Sequence, residues 1–249
     1  MRIASWNAMA IAVLLGGGLF GITHAAPSET EILRQMQETG DTEIRLDLLH
    51  KLGRYHSQAV RRALEEIAGN KDESTAARMQ AVCSLSGSAT RETVPLLMRI
   101  VEKDLIERHG YWACAIPLLG SLGDRQAIPL LIRVANQQED FLAGMDHMAI
   151  SAVAELADAR ELSFLMARAY IAPVRPDVMK ALSRIASPGL VEVLVGGLQA
   201  GEEPETIKAA GEGLLRIGVA ATPELNIALK NAASDEERQR IRMLLEQLR

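Results

Sequence analysis

Apolar residues recur along this chain with the spacing of one face of an α-helix. Six segments place them at positions i, i+3, i+4 and i+7, and the segments start 34, 34, 34, 28 and 35 residues apart. The sets are Val60/Ala63/Leu64/Ile67, Val94/Leu97/Met98/Val101, Ile128/Leu131/Ile132/Ala135, Leu162/Leu165/Met166/Ala169, Leu190/Val193/Leu194/Gly197 and Leu225/Ala228/Leu229/Ala232. Such a recurring helix predicts an array of similar helical units.

A second series of helices is predicted to end just before each of these segments. Each ending is an aliphatic residue followed by a small one, which is how an amphipathic helix stops at a tight turn. The endings are Leu52, Leu85, Leu122, Leu156, Ile185 and Ile217, and the hairpins are expected to turn at Gly53, Gly87, Gly123, Ala157, Ala186 and Gly218. Period-two alternation, typical of strands, is absent. The sequence therefore predicts an all-α fold, an α-solenoid of about six helical hairpins.

Both ends of the array have the sequence pattern of capping helices. Ser28 with Glu31, and Ser234 with Glu237, have the spacing of a capping box, which opens a helix. A single helix with one apolar face closes the exposed end of a solenoid. The predicted division is a signal peptide at 1–25, an N-terminal capping helix at 26–40, the repeat array at 41–232 and a C-terminal capping helix at 233–249.

The first 25 residues have the pattern of an export signal. Arg2 is the only charged residue before Glu29, and an apolar stretch runs from Met9 to Ile22. This stretch is shorter than the roughly 20 residues that span a membrane. We therefore expect cleavage after Ala25 and a periplasmic or secreted protein with no membrane insertion. An uncleaved anchor is the alternative.

The charge of the chain argues against a nucleic-acid partner. It has 27 Lys and Arg against 32 Asp and Glu, a net charge of −5, and only 3% of its residues are aromatic. Binding to a phosphate backbone depends on clustered Lys and Arg, and binding to single strands depends on aromatic rings that stack with bases. We therefore expect no binding to nucleic acid.

The stretch Leu-Gly-Asp-Arg-Gln-Ala-Ile-Pro-Leu-Leu at 122–131 resembles a HEAT-like repeat. Val-Pro-Leu-Leu at 94–97 is a second copy of its end. The chain is similar to the HEAT-like repeat family over roughly 41–232, in particular to the short bacterial units of phycobilin lyases. The resemblance implies a curved stack of helical hairpins with the second helices on the inner face, and it implies no reaction.

The histidines show no pattern of a catalytic or metal site. The di-iron hydroxylases of HEAT-like architecture use His-Glu dipeptides on several repeats, a feature that this sequence lacks. Its mature histidines and the residues after them are His50-Lys51, His56-Ser57, His109-Gly110 and His147-Met148. Ser-His-Asp order, a phosphate-binding glycine loop and a Cys-x-x-Cys pair are also missing. We therefore predict no catalytic residue, no metal and no cofactor.

Cys83 and Cys114 fall on the first helices of adjacent repeats, and export would allow them to form a disulfide. Two alignments of the repeats disagree about their separation. One offsets the cysteines by six residues, about 9 Å along a helix axis, and the other by three. A disulfide needs Cα atoms within roughly 7 Å. Buried free thiols are the favoured interpretation, and a disulfide stays open.

A candidate protein-binding surface lies on the second helices of units two to four. It comprises the arginines Arg99, Arg133 and Arg168 and the apolar residues Leu96, Leu130 and Phe164. These apolar positions flank the core face and would be polar on an isolated helix. One interpretation is lateral packing between stacked repeats. The other is an apolar groove, rimmed by arginines, that receives a segment of a partner protein.

These observations predict an exported protein-binding scaffold or adaptor with no catalysis of its own. The alternative is a HEAT-like lyase or a ligand-carrier enzyme that acts on a bound small molecule. The shape of the surface distinguishes the two hypotheses. A long open concave surface favours the scaffold, and a pocket with several convergent polar groups favours the ligand carrier.

Overall fold

The computed structural model describes residues 27–107, 113–137 and 144–249, and this part of the chain contains helices and turns but no strand. Its α-helices are α1 (Glu29–Glu38), α2 (Thr42–Leu52), α3 (Gln58–Gly69), α4 (Thr75–Ser84), α5 (Val94–Glu107), α6 (Ala115–Ser121), α7 (Ile128–Ala135), α8 (Met145–Leu156), α9 (Leu162–Met166), α10 (Arg175–Ile185), α11 (Val191–Gly196), α12 (Pro204–Ile217), α13 (Thr222–Asn231) and α14 (Asp235–Gln247).

Helices α2 to α13 form six consecutive hairpins, and α1 and α14 cap the two ends. The fold class predicted from the sequence is therefore confirmed. The first helices of the hairpins end at the predicted residues, except that α4 and α6 end one residue earlier, at Ser84 and Ser121. Two of these turns contain a residue with left-handed backbone, which cannot continue a helix: Gly123, two residues after α6, has φ 71°, and Ala186, directly after α10, has φ 46°.

The caps of the terminal helices follow the sequence pattern. The Ser28 hydroxyl accepts a hydrogen bond from the backbone N–H of Glu31, and the Ser234 hydroxyl accepts one from that of Glu237. The predicted signal peptide at 1–25 lies outside the described residues. Within the described ranges, no helix is long and apolar enough to cross a membrane.

Side chains of one hairpin form hydrogen bonds with backbone carbonyls at the turn of the next hairpin. The Arg125 guanidinium donates to the Leu156 carbonyl at 2.7 Å, and Arg91 donates to the Leu122 carbonyl at 3.4 Å. The ring of His56 contacts the Gly87 carbonyl in the same way at 2.6 Å. Each contact joins residues 31 positions apart, so it repeats with the hairpins. These contacts satisfy carbonyls that a helix end leaves without a partner.

Cys83 and Cys114 form a disulfide with their Cα atoms 5.2 Å apart. The interpretation as free thiols is therefore wrong. The sequence could not decide because the offset between adjacent hairpins depends on how they stack, and the structure adopts the shorter separation. The bond joins α4 to the residue that precedes α6.

Two of the second helices are shorter than their apolar pattern predicts. Helix α9 ends at Met166, and the chain continues to Tyr170 as turns in which the Ala169 N–H bonds to the Met166 carbonyl. Helix α11 ends at Gly196, followed by Gly197. Both early endings occur beside the same cleft, which is described below.

Candidate ligand-binding cleft

The apolar residues of the predicted protein-binding surface pack against the core. Leu130 is only 2% exposed. Leu96 and Phe164 are partly buried and pack against buried neighbours, and Phe164 contacts both of the hydrophobic clusters that form the core. Their positions match lateral packing between repeats.

The predicted arginines do not form a free basic rim. Arg133 pairs with Glu102 of the preceding repeat at 2.9 Å. Arg168 donates to Asn136 and lies over the ring of Phe164, with its Cζ 3.7 Å from the centroid. Burial also lowers the pKa of Arg168.

Arg99 is exposed, and it lines a shallow depression together with the carboxylates of Glu65, Glu66 and Glu92. The charge around it is therefore predominantly acidic. Protein binding by Arg99, Arg133 and Arg168 stays a prediction. In the structure, these arginines already have acidic or amide side chains as neighbours.

A buried arginine connects separate segments in the C-terminal part of the array. The guanidinium of Arg175, at the start of α10, pairs with Glu202 through its Nε at 2.7 Å. Its Nη1 donates to the Ala169 carbonyl and its Nη2 to the Gly196 carbonyl. All three of its nitrogens are therefore engaged by the protein, and the side chain is only 11% exposed.

The same arrangement occurs near the N-terminus. Arg45 of α2 donates to the Met36 carbonyl at 2.8 Å and pairs with Glu73. Glu73 lies 28 residues after Arg45, and Glu202 lies 27 residues after Arg175. We infer from this recurrence that the arginine–glutamate pair is a structural clamp between repeats. Any functional groups in this region are therefore the residues around the clamp, and not the arginine–glutamate pair itself.

A cleft of about 630 Å³ opens beside Arg175. It lies where α9 and α11 end and α12 begins, and it is open to solvent on one side. Its lining residues are Tyr170, Ala172, Arg175, Pro176, Glu192, Val195, Gly196, Gln199, Gly201, Glu202, Glu203 and Thr206. This volume is typical of pockets that hold small molecules.

The ionisable groups of the cleft leave an excess of negative charge. Glu192, Glu202 and Glu203 face a single guanidinium, that of Arg175. Glu202 is taken up by its pair with Arg175. Glu192 and Glu203 are exposed, and neither pairs with any side chain in the described part of the protein. Two carboxylates are therefore available to a bound molecule.

Thr206 lines the cleft, but its hydroxyl is enclosed by the protein. The residue is 1% exposed, and its buried Oγ1 makes no hydrogen bond to any described residue. Leaving a buried hydroxyl unpaired costs about 1–3 kcal/mol. Because the oxygen has almost no accessible surface, a molecule in the cleft does not reach it in this structure.

Tyr170 presents an exposed aromatic ring at the cleft, with 68% of the residue accessible. The Cζ of Arg175 lies 5.2 Å from the centroid of this ring. Most of the ring surface nevertheless stays accessible to solvent and to any molecule in the cleft.

The sequence did not indicate this cleft. A usable signal was the run Gly-Glu-Glu-Pro-Glu at 201–205, which places acidic residues at the start of a helix. No sequence pattern connected that run with Tyr170 or Arg175, because the three come together only when consecutive hairpins stack. Among the described residues, no group of three or more His, Cys, Asp or Glu side chains is placed to hold a metal ion.

Comparison with solved structures finds other HEAT-like helical-repeat proteins. The chain is similar to human deoxyhypusine hydroxylase in complex with glycerol, with 14% identity and a TM-score of 0.38 over 88% of this chain and 84% of that one. It is also similar to the complex of CpcE and CpcF of phycocyanin lyase from Nostoc sp. PCC7120, with 16% identity and a TM-score of 0.41 over 94% of this chain and 100% of that one. No family model and no curated protein matches the sequence.

The prediction of a protein-binding scaffold with no catalysis of its own is wrong. The solved structures to which the chain is similar are a hydroxylase and a lyase. The absence of familiar motifs from the sequence excludes only the sites that those motifs form. The likeness transfers no reaction to this chain, and the function has to be argued from its own cleft.

Proposed function

We propose that this protein is a ligand carrier that holds a small organic molecule in the cleft between α9, α11 and α12. The observation that carries the proposal is the cleft of about 630 Å³, which is lined by the exposed ring of Tyr170 and by the exposed carboxylates of Glu192 and Glu203. A concave site with an aromatic ring and a few polar groups is typical of small-molecule binding. This is the alternative that the sequence left open, a HEAT-like lyase or ligand-carrier enzyme that acts on a bound small molecule.

The shape of the cleft supports a carrier. Its volume of about 630 Å³ suits a small molecule, and its open side leaves part of a bound molecule accessible. A second reactant or an acceptor could therefore reach the ligand without a large movement of the solenoid.

The proposal is tested by recording amide resonances of the protein during titration with a library of small fragments. We expect the largest shifts at Gly196, Gly201 and Thr206. A blocked variant, Gly196→Leu, fills the cleft from its wall. A Cβ at Gly196 would meet no atom within 4 Å, so the fold should tolerate the change.

The matched control is Gly189→Leu. A Cβ at Gly189 also meets nothing within 4 Å, and this residue does not line the cleft. Fragment binding should disappear in Gly196→Leu and persist in Gly189→Leu. If fragments bind elsewhere on the solenoid, or bind equally to both variants, the cleft is not the functional site.

We also propose that the protein is exported and that its signal peptide is cleaved after Ala25. The disulfide between Cys83 and Cys114 supports an oxidising compartment, since such bonds are rare in the cytosol. N-terminal sequencing of the protein from fractionated cells tests this. Recovery of the chain with Met1 in a membrane fraction would indicate an anchor instead.

A further inference from the structure

We infer that the molecule held in this cleft is a small organic cation. The inference rests on the proposed function and adds the chemical class of the ligand. It follows from three features of the cleft: its unpaired carboxylates, its arginine whose charge is matched by a glutamate, and its exposed aromatic ring.

The carboxylates of Glu192 and Glu203 provide the attraction for a positive charge. Neither is neutralised by a described side chain, so the lining has two more negative than positive groups. A cleft lined by charge of one sign concentrates counter-ions of the opposite sign. An anionic ligand would instead meet repulsion from both groups.

Arg175 adds little net attraction for an anion, because its charge is already matched by Glu202. Its three nitrogens each donate one hydrogen bond, to Glu202 and to the carbonyls of Ala169 and Gly196. The pair with Glu202 at 2.7 Å leaves the remaining charge of the cleft negative. The recurrence of the clamp at Arg45 supports the view that Arg175 holds repeats together.

The N-terminus of α12 would favour an anion by its dipole, but acidic side chains already occupy it. Glu203 is the N-cap residue and Glu205 lies in the first turn. Carboxylates at these positions stabilise the helix by about 0.3–1 kcal/mol each. The negative charge of these side chains offsets the positive end of the helix dipole, so the terminus offers little attraction to an anionic ligand.

Tyr170 adds an aromatic surface of the kind that binds organic cations. Its exposed ring lines the same cleft as Glu192 and Glu203. A cation over the face of an aromatic ring gains about 0.5–2 kcal/mol, depending on how far it is desolvated. Because inorganic ions hold their water more tightly, this feature favours an organic ammonium group.

The test compares cations with uncharged molecules of the same shape. One pair is choline and its isostere in which carbon replaces the quaternary nitrogen, and the other is ethanolamine and ethylene glycol. Glycolate serves as the anion. Shifts of the Gly196 and Gly201 amides report binding. We expect at least one cation to bind about tenfold more tightly than its neutral isostere. The affinity of that cation should fall as the salt concentration is raised.

A substitution of one carboxylate tests the contribution of charge. Glu203→Gln should lower the affinity for the cation about threefold to tenfold and leave the affinity for its neutral isostere unchanged. The matched control is Glu205→Gln, because Glu205 is exposed on the same turn of α12 but lines a different depression, with Asp177 and Lys208. It should leave binding nearly unchanged.

The outcomes distinguish this inference from the proposed function. If neutral molecules or glycolate bind in the cleft as tightly as their cationic counterparts, the inference about charge is wrong and the ligand carrier stands. If none of the probes and no library fragment shifts the cleft amides, both are wrong.

Discussion

At the scale of single residues, Phe164 was a candidate for protein binding, and in the structure it is partly buried against the core. Its ring contacts both hydrophobic clusters and lies under the guanidinium of Arg168. We expect Phe164→Ala to lower the free energy of unfolding by about 2–3 kcal/mol, somewhat less than for a fully buried ring. Urea unfolding measures this, with Phe164→Leu as the milder control. Unchanged stability would make the ring a surface anchor.

Asp158 provides a prediction on pH. Hydrogen bonds from Arg160, first from its side chain and then from its backbone, lower the pKa of the Asp158 carboxyl, and Arg125 of the preceding hairpin pairs with it at 3.0 Å. The folded protein therefore holds the ionised form more tightly than the unfolded chain, whose Asp pKa is about 3.9. Its contribution to stability is present above that pH and is lost as the pH falls below it.

The matching variant is Asp158→Asn, which keeps an acceptor for the turn but loses the charge. We expect the wild-type protein to be the more stable one at neutral pH. The difference should shrink as the pH is lowered from about 4 towards the depressed pKa. Urea unfolding over a series of pH values measures it. A difference that does not change with pH would mean that the charge of Asp158 is not involved.

At the scale of helices, α12 contains two interior glycines with different surroundings. A Cβ at Gly213 would lie 3.0 Å from the Ser183 Cα of α10 and 3.0 Å from a methyl group of Leu194. A Cβ at Gly211 would meet only Leu244, at an ordinary 3.6 Å. The close approach of α10 and α12 therefore depends on Gly213.

The two alanine substitutions should have opposite effects. Gly211→Ala should raise stability by about 0.5–1 kcal/mol, because alanine loses less backbone entropy in a helix. Gly213→Ala should lower stability by about 1 kcal/mol or more, because overpacking outweighs that gain. Thermal and urea unfolding measure both. If Gly213→Ala is also stabilising, α10 and α12 are packed less closely than the structure shows.

At the scale of the whole molecule, each hairpin contacts mainly its neighbours, as in other solenoids. The disulfide between Cys83 and Cys114 links the second hairpin to the third, whereas the cleft lies between the fourth hairpin and the sixth. Removal of the disulfide should therefore affect the structure only in the hairpins that it joins. Structure and binding at the cleft should be largely independent of it.

We expect the double variant Cys83→Ser with Cys114→Ser to lose roughly 3–4 kcal/mol of stability, the loop-closure value for a separation of 31 residues. Fragment binding at the cleft should be unchanged under conditions in which the variant stays folded. Urea unfolding and the amide titration measure the two quantities. A parallel loss of binding would show that the array responds as one unit.

The helical hairpins could be predicted from the sequence, because local interactions decide where each helix starts and stops. Examples are the Ser28 and Ser234 caps and the turns at Gly123 and Ala186. The role of the predicted functional surface could not be decided from the sequence, since the same apolar position fits lateral packing or an open groove. Leu130 is buried in the folded protein, and the sequence of a single helix contains no information about what covers it.

The sequence by itself therefore determined the class of fold and the order of the hairpins, through periodicity and capping. Tertiary structure alone decided three other features: the pairing of Cys83 with Cys114, the partners of the arginines, and the cleft around Thr206. Each of these depends on the offset and twist between stacked hairpins. That geometry results from side-chain packing across many residues, so residues distant in sequence meet at positions that no local pattern specifies.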